Sequence, residues 1–593
     1  MNKKDRQKLA LLELATRKPR PYYCEVEYLA SDGNQYIITD FVQGSDYTME
    51  VSVEIPTTPQ TIAGARDNQV RNGLIYYSQS YNTTYLTIAG LNSGSTPFNL
   101  GTISGKNLIK VQIADNKGTI WIDGIKVYDN VSFTGTYAQT YPVSLFGSNN
   151  AGTMAEMGAV KIYQFKGTAG GKSYHLIPVL DWQGVPCMYD KINRKFYYNL
   201  GTGSFTYGRE IHRVEWLKSS GTQYFDLGIG GNQDTEMCSV AASLTDANNF
   251  NQLMGRLGTS PDRMTMNCNN STYNYGVSAF GNVAGVNGSG KIFQAVLNTK
   301  TKFMINKNGM WQDDVLLQSL TGVEDFTLGA NIYVLKANGS SAIGQWRWYE
   351  SYVKQGGEYI RHLFPMIDED CVACAFDEAS HRIFDNAGTG TLEHSDLEVE
   401  CLDNTNLTTS QSAYLQTDVA YSSSNAYQIE QDIQIIKRGQ IRFSGWNAGG
   451  AIGVNYNTGN YRDGNTDLSP SVIEDSRVRA TLRINAGSNT QTYYTLSYAG
   501  KTSTGQRGHG SIASYATLGY PLMASTTNSG GYQYYTYGRL WSCKIYSGAS
   551  LDNLTLVRDM KPIVRNGKAG MLDTVNDVFY SSIGTKEFRF RVK

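Results

Sequence analysis

"VEYLASDGNQYIIT", residues 26–39, returns at residues 214–227 as "VEWLKSSGTQYFDL", with seven of fourteen positions identical. Working outward, "HLIPVLDWQGVPCMYDKINRKFYYNLGTGSF" from His175 matches "HLFPMIDEDCVACAFDEASHRIFDNAGTGTL" from His362 without a gap. The offset is 188 residues for the first pair and 187 for the second. A more diverged copy, "DMKPIVRNGKAGMLDTVNDVFYSSIGTKEF" from Asp559, needs one gap. It then aligns Pro562 with Pro178, Asp573 with Asp190, and Gly584-Thr585 with Gly201-Thr202. A period of that length is a whole domain, not a solenoid repeat. The chain is expected to be a tandem array: a basic N-terminal segment at 1–21, then modules at 22–208, 209–395 and 396–593.

Composition narrows the class. Hydrophobic residues make up 40% of the 593, enough to build cores, while charged residues reach only 18%. Glycine (61) and tyrosine (41) are abundant, and Asn/Ser/Thr/Gly clusters separate short apolar runs. That texture predicts many short strands joined by tight turns. "TIWIDGIKVYD" alternates, turns at Asp123-Gly124 and alternates again, a hairpin signal because both turn residues need positive φ. "KFMINKNGMW" carries Asn308-Gly309 a further 185 residues on, and is read as the same hairpin, with "ATLRINAG" its counterpart in the third module. "KIYQF" from Lys161 and "KIY" from Lys544 read as equivalent core strands. The expected fold is all-β: three two-sheet sandwiches preceded by a short helix.

The net charge of zero conceals an asymmetry. Residues 1–20 hold seven cations against two acids, a net +5, so the other 573 carry −5. A basic nucleic-acid-binding body is therefore not expected. "KKDRQKLALLELATR", residues 3–17, reads as a helix stopped by Pro19 and Pro21. A lone helix of this length is marginal in water, so it should dock on something. Lys3, Lys4, Arg6, Lys8, Leu9, Leu11, Leu12 and Leu14 are the docking candidates. "LALLELA" carries Glu13 and no small-residue cleavage site, which makes a poor signal peptide. No apolar run approaches the ~18 residues of a membrane span. Synthesis and assembly in a cytoplasm, without membrane insertion, are expected.

The modules carry recognisable motifs. The opening "VEWLKSSGTQYFDLGI", the Asp-Gly hairpin and the closing "P-V…MYDK…FYYN-x-GTGSF" resemble the concanavalin A-like, laminin-G-like jelly-roll domains. More narrowly, they resemble the form found in structural proteins of phages that infect gut Bacteroidetes, including crAss-like phages. The likeness covers residues 22–593 and is weaker in the third module, whose opening "CLDNTNLTTSQSAYLQT" lacks Gly-Thr-Gln-Tyr. The resemblance implies a non-enzymatic head or tail fibre or other virion appendage. It would be tethered by its N-terminus to capsid or tail proteins, would bind host-surface polysaccharide and would be homo-oligomeric, with a trimer favoured. The alternatives are a bacterial lectin-like adhesin and a glycan hydrolase or lyase.

Motifs for chemistry read as structural. "GTAGGKS" from Gly167 and "GVNGSGKI" from Gly285 imitate phosphate loops, but the first is a residue short and the second has Ile292 where a magnesium-binding hydroxyl belongs. Cys371-x-x-Cys374 lacks a second pair for zinc, and the eight cysteines do not repeat as pairs, so free thiols are expected. The six histidines do not cluster, and no Glu-x-Asp-x-x-Glu strand supplies the paired carboxylates of a glycosidase. No cofactor, metal or catalytic residue is therefore expected. "DEDCVACAFDE" from Asp368 reads as a solvated loop and strand edge. Asp190, Asp377 and Asp573 recur before a turn, as Asx-turn caps would, and Gly201 and Gly388 read as turn residues needing positive φ. The Tyr-rich "YSQSYNTTY" from Tyr77, "NNSTYNYG" from Asn269 and "GYQYYTYG" from Gly531 are the candidate glycan-contact loops, with the contacting residues left unassigned.

Overall fold

The computed structural model describes residues 21–592 apart from short stretches, the longest at 89–97, 133–138, 245–250, 270–277, 285–292, 405–411, 445–451 and 509–518. Residues 1–20, including the expected helix and its docking candidates, lie outside the described residues. Everything described is strand, turn or loop. The all-β sandwich class read from the sequence is the class of the structure. The chain falls into two compact units. One runs to Asp368 and takes in Ala373–Glu393; the other holds Glu369–Val372 and everything from His394.

In the first unit, one strand order occurs twice. The first module's large sheet runs Ile125–Ser132, Lys117–Ile122, Gly105–Ala114, Tyr47–Ile55, Lys161–Ala169, Lys172–Leu180, Pro186–Asp190, Lys195–Tyr197, each antiparallel to the next. The second module's runs Val315–Ser319, Gly309–Gln312, Thr301–Asn306, Thr235–Ser243, Trp346–Gln355, Glu358–Ile367, Ala373–Asp377, Arg382–Phe384. The second unit repeats the order from Lys501–Gly508 through Gln491–Tyr498, Arg477–Ile484, Ala426–Ile435, Gly538–Ser550, Asn553–Arg565 and Lys568–Asp573 to Val578–Ser581. Register repeats too: Leu176 faces Asp190, Leu363 faces Asp377 and Met560 faces Asp573.

Alternation puts one side of each large sheet into a core. Thr301, Phe303 and Ile305 point inward while Lys302, Met304 and Asn306 are half-exposed. In the first module Met49, Val51, Ile109, Val111, Phe165 and Leu176 meet Ile37, Phe41, Ile62, Ile75 and Val143 across the sandwich. Each such side chain, fully buried, contributes roughly 1.5–3 kcal/mol. The facing small sheet carries Gln60–Arg66, Asn72–Ser78 and Thr83–Ile88. In the second module Asn251–Arg256 and Met264–Asn269 take that place.

Three details depart from the sequence reading. Asp123-Gly124 joins Lys117–Ile122 to Ile125–Ser132 in the large sheet's outermost hairpin, and its counterpart is Asp313-Asp314, also with positive φ. Asn308 instead lies in the turn of the preceding hairpin, Lys307-Asn308, where the first module has Asp115-Asn116, and Gly309 opens the next strand. Three antiparallel strands need two turns, and both accept the same turn residues, so dipeptide chemistry could not tell them apart. "ATLRINAG" is the counterpart of that preceding hairpin's first strand. "KIYQF" and "KIY" lie in equivalent strands but five residues out of register, since Lys166, not Lys161, matches Lys544: Lys166 pairs with His175 and Lys544 with Asp559.

The two large sheets of the first unit are also joined. Glu210–Arg213 pairs with Cys24–Val26 on one side and with Ile367 and Met366 on the other. Each module keeps its own small sheet, yet the hydrogen-bonded ladder passes from one module into the next.

Candidate functional site

The aspartates that recur in the repeats are occupied by backbone. Asp190 Oδ1 accepts from the amides of His175 (3.2 Å), Ile192 (2.9 Å) and Asn193 (3.2 Å), and Oδ2 accepts from Asn193 Nδ2 (2.6 Å). Asp377 does the same with His362 N (2.7 Å), Ala379 N (3.1 Å) and the Ser380 hydroxyl (2.5 Å). Asp573 accepts from Asp559 N, Val575 N and Asn576 Nδ2. All three are fully buried. Each carboxylate ties a hairpin turn to the neighbouring strand, the Asx-turn role read from their spacing.

The opening and closing motifs meet, which is why both repeat. Gln35 Nε2 donates to Thr202 O (3.1 Å), and its Oε1 accepts from Asp32 N (2.9 Å). Gln223 does likewise with Thr389 O (3.0 Å) and Ser220 N (2.9 Å). Gly33 and Gly221, at φ +100° and +110°, make the bend that lets this happen. In the third module Tyr414 takes the place of Tyr36 and Tyr224, with Ala413 where the glutamine stood: Ile583 N donates to Tyr414 O as Leu200 N does to Tyr36 O. The "GTG" turns that begin at Gly201 and Gly388 do use positive φ, but not at those first glycines. Their φ is ordinary; a Cβ there would lie 1.9 Å from the carbonyl oxygens of Asn34 and Thr222. The positive φ belongs to Gly203 and Gly390.

Other candidates resolve similarly. "GTAGGKS" is a strand with a two-residue turn at Gly170-Gly171, both at positive φ, matched by Gly356-Gly357. "GVNGSGKI" and most of the three tyrosine-rich loops lie outside the described residues. Cys187, Cys238, Cys401 and Cys543 are buried free thiols, each pushed up to about 12 by burial. The acidic run from Asp368 is a turn, with Asp370 and Val372 exposed, leading into the strand Ala373–Asp377, but its acids are not all solvated. Asp368 and Asp377 are buried, and Glu378 sits where the first two modules meet.

That junction gathers charge. Glu378 Oε1 accepts from Lys191 Nζ (3.3 Å) and Arg213 Nη2 (3.2 Å). Gln164 Nε2 and Lys166 Nζ both donate to Ala379 O, and His381 Nε2 donates to Val26 O (2.9 Å). Burial pushes His381 down to about 4 and, with Lys166 and Lys191, His175 down to about 3. These histidines are neutral packing groups, not acid–base pairs poised near neutrality.

One solvent-facing feature sequence reasoning missed. At one end of the second module, three turns enclose a cleft of about 290 Å³ lined by Asp234, Glu236, Asn306, Lys307, Asn308 and Lys354, with Gly356 and Gly357 at its edge. Asn306 Nδ2 donates to Glu236 Oε2 (2.9 Å) and the Tyr352 hydroxyl to Oε1 (3.0 Å). Lys354 Nζ lies 3.6 Å from Glu236, and Lys307 Nζ donates to Asp234 (2.8 Å). Lys354 also lies over the rings of Tyr352 and Tyr359, 4.8 and 4.5 Å from their centroids. Tyr359 is 46% exposed and stacks on His362 at 4.7 Å. The ladders put Asp46, Thr48 and Thr168 at the places of Asp234, Glu236 and Lys354 in the first module, and Ala426, Gln428 and Tyr546 in the third. That departure from the repeat was the available signal.

No family model matches the chain, and no curated protein matches it. Among solved structures, it is similar to domains LG4-5 of the mouse laminin alpha1 chain, at 13% identity, over 64% of this chain and 97% of that one, with a TM-score of 0.22. It is also similar to the LG1-3 region of the laminin alpha2 chain, at 9% identity over 94% and 98%, with a TM-score of 0.22. The sandwich assignment rests on the strand order itself.

Proposed function

We propose that this chain is a non-enzymatic phage virion protein, a head or tail fibre or related appendage, that binds host-surface polysaccharide. One observation carries the non-enzymatic half of the reading. The aspartates and glutamines that recur between modules are spent on backbone hydrogen bonds, and His175 and His362 bond Gln164 and Glu350, so among the described residues what repeats is a scaffold. The virion half follows from the motif resemblance to structural proteins of Bacteroidetes phages and from the +5 charge of residues 1–20 beside a body of −5. In this reading the arm docks through Leu9, Leu11, Leu12 and Leu14, with Lys3, Lys4, Arg6 and Lys8 facing an acidic virion partner. Homo-oligomerisation, a trimer by preference, then multiplies weak sites on a polymeric surface.

The test has two halves. Purified protein should retain surface polysaccharide from a Bacteroidetes host without releasing reducing sugar. Deleting residues 1–21 should abolish incorporation into particles while leaving sandwich unfolding unchanged. Reducing ends that accumulate, or truncated protein that assembles normally, would each sink its half of the reading.

A further inference from the structure

We infer that the cleft at the end of the second module is a saccharide subsite, built for an uncharged sugar residue and specific to that module. The inference rests on the polysaccharide-binding reading above and names where on the chain that binding occurs.

The cleft's volume, about 290 Å³, lies at the lower edge of the small-ligand range of about 300–1,000 Å³. Its walls come from three turns, at Gln233–Glu236, Asn306–Asn308 and Lys354–Gly357, each pinned by its own strands. Asn308 N donates to Asn306 Oδ1 (2.8 Å) and Gly356 N to Asp234 O (3.3 Å), so the cleft is shaped before any ligand enters.

Charge selects the ligand. The two carboxylates each face an ammonium, Asp234 with Lys307 and Glu236 with Lys354. A cation would have to displace a lysine, and an acidic sugar would have to displace a carboxylate. A neutral ligand meets a balanced set. Carboxylate oxygens accept from hydroxyls, and amide and ammonium N–H groups donate to them. Asp234 Oδ2 and the Asn308 side-chain amide take no hydrogen bond among the described residues, which leaves one acceptor and one two-way group for such hydroxyls. Tyr359 lies outside the lining: its ring stacks on His362 and sits under Lys354 Nζ, which helps hold that ammonium beside Glu236.

Fold maintenance does not require this set. The equivalent turns close with Thr48 and Thr168 in the first module, and with Gln428 and Tyr546 in the third.

The experiment is affinity electrophoresis of the full chain through gels containing neutral polysaccharides (mannan, dextran), a uronate polymer (alginate) or a host surface extract. The variants are Asp234→Ala and Asn308→Ala, each checked for unchanged thermal unfolding, with Asp46→Ala as the first-module control. The inference expects retardation by a neutral polymer or the extract, a five-fold or greater loss of apparent affinity in each variant, and none in the control. Wild-type retardation that the variants keep would overturn the inference and leave the polysaccharide-binding reading standing. Retardation by alginate alone, lost in Lys307→Ala, would overturn the uncharged-sugar assignment. A wild-type chain that no polymer retards would overturn the reading itself, and this subsite with it.

Discussion

Lys191 Nζ stands 3.3 Å from Glu378 Oε1, and these two residues occupy the same position of their respective repeats, one place after the buried Asp190 and Asp377. Equivalent turns of two related modules thus meet with opposite charge. Arg213, which corresponds to Glu25, adds a second cation to Glu378 at 3.2 Å. Identical modules would set like charges against each other here.

Reversing that complementarity should weaken the first unit. Glu378→Lys would place three cations together in a half-buried site, with an expected cost of about 1–3 kcal/mol. Added salt should reduce the loss. Lys191→Glu combined with Glu378→Lys should recover only part of it, because Arg213 has also lost its carboxylate. Denaturant unfolding measures both; a neutral Glu378→Lys would show that the pair contributes nothing.

The same junction predicts an acid limb. His381 is held down to about 4 by burial, with Lys191 and Arg213 acting the same way and Glu25 and the Val26 carbonyl opposing them. Its unfolded value is near 6.5. The unfolded chain therefore takes up the proton first, and stability that is full above pH 6.5 is lost as pH falls toward 4. The loss from this residue is on the order of 3 kcal/mol. His381→Asn can keep the bond to Val26 O without titrating, so it should reduce the slope of the stability profile between pH 6.5 and 4 and leave the part that His175 contributes. An unchanged profile would assign the acid limb to other groups.

Two glycines should respond very differently to alanine. At Gly388 the new Cβ would meet Thr222 O at 1.9 Å, so the closing turn must leave the opening loop. We expect a loss above about 3 kcal/mol and poor folding. Gly170 has φ +56° with open space around it, so Gly170→Ala should cost only about 1–2 kcal/mol of backbone strain. Thermal unfolding of the two variants would decide whether close approach or positive φ constrains a glycine of this fold more.

The repeat scaffold was legible because single side chains carry several backbone bonds at once. Asp190 and Gln35 cannot drift without unpairing buried amides, so they stand out when one copy is laid on another. Hairpin assignment was not legible: Asp115-Asn116, Asp123-Gly124 and Asp313-Asp314 all supply positive φ, and turn chemistry does not say which turn is which. Nor was the shared sheet, since Glu210–Arg213 is too short to show alternation. The cleft was hidden for another reason. Its residues lie on three turns up to about 120 positions apart, and none matches a motif.

The recurring aspartates give the last prediction. Ala at Asp190, Asp377 or Asp573 strands at least two backbone amides with little access to water, at about 1–3 kcal/mol for each such group. Asn preserves the Oδ1 acceptor and should be milder, but not equally at all three. Arg361 is 3% exposed with its Nε 3.8 Å from Asp377 Oδ2, and Asp377→Asn would remove that charge from a buried guanidinium. Asp190 faces only the Asn193 amide on that oxygen. Asp377→Asn should therefore destabilise by about 1–2 kcal/mol more than Asp190→Asn. Calcium ligands would behave otherwise: chelation would lower the unfolding temperature of the wild-type chain and leave the variants unmoved. Turn caps predict the same wild-type unfolding temperature with and without chelator.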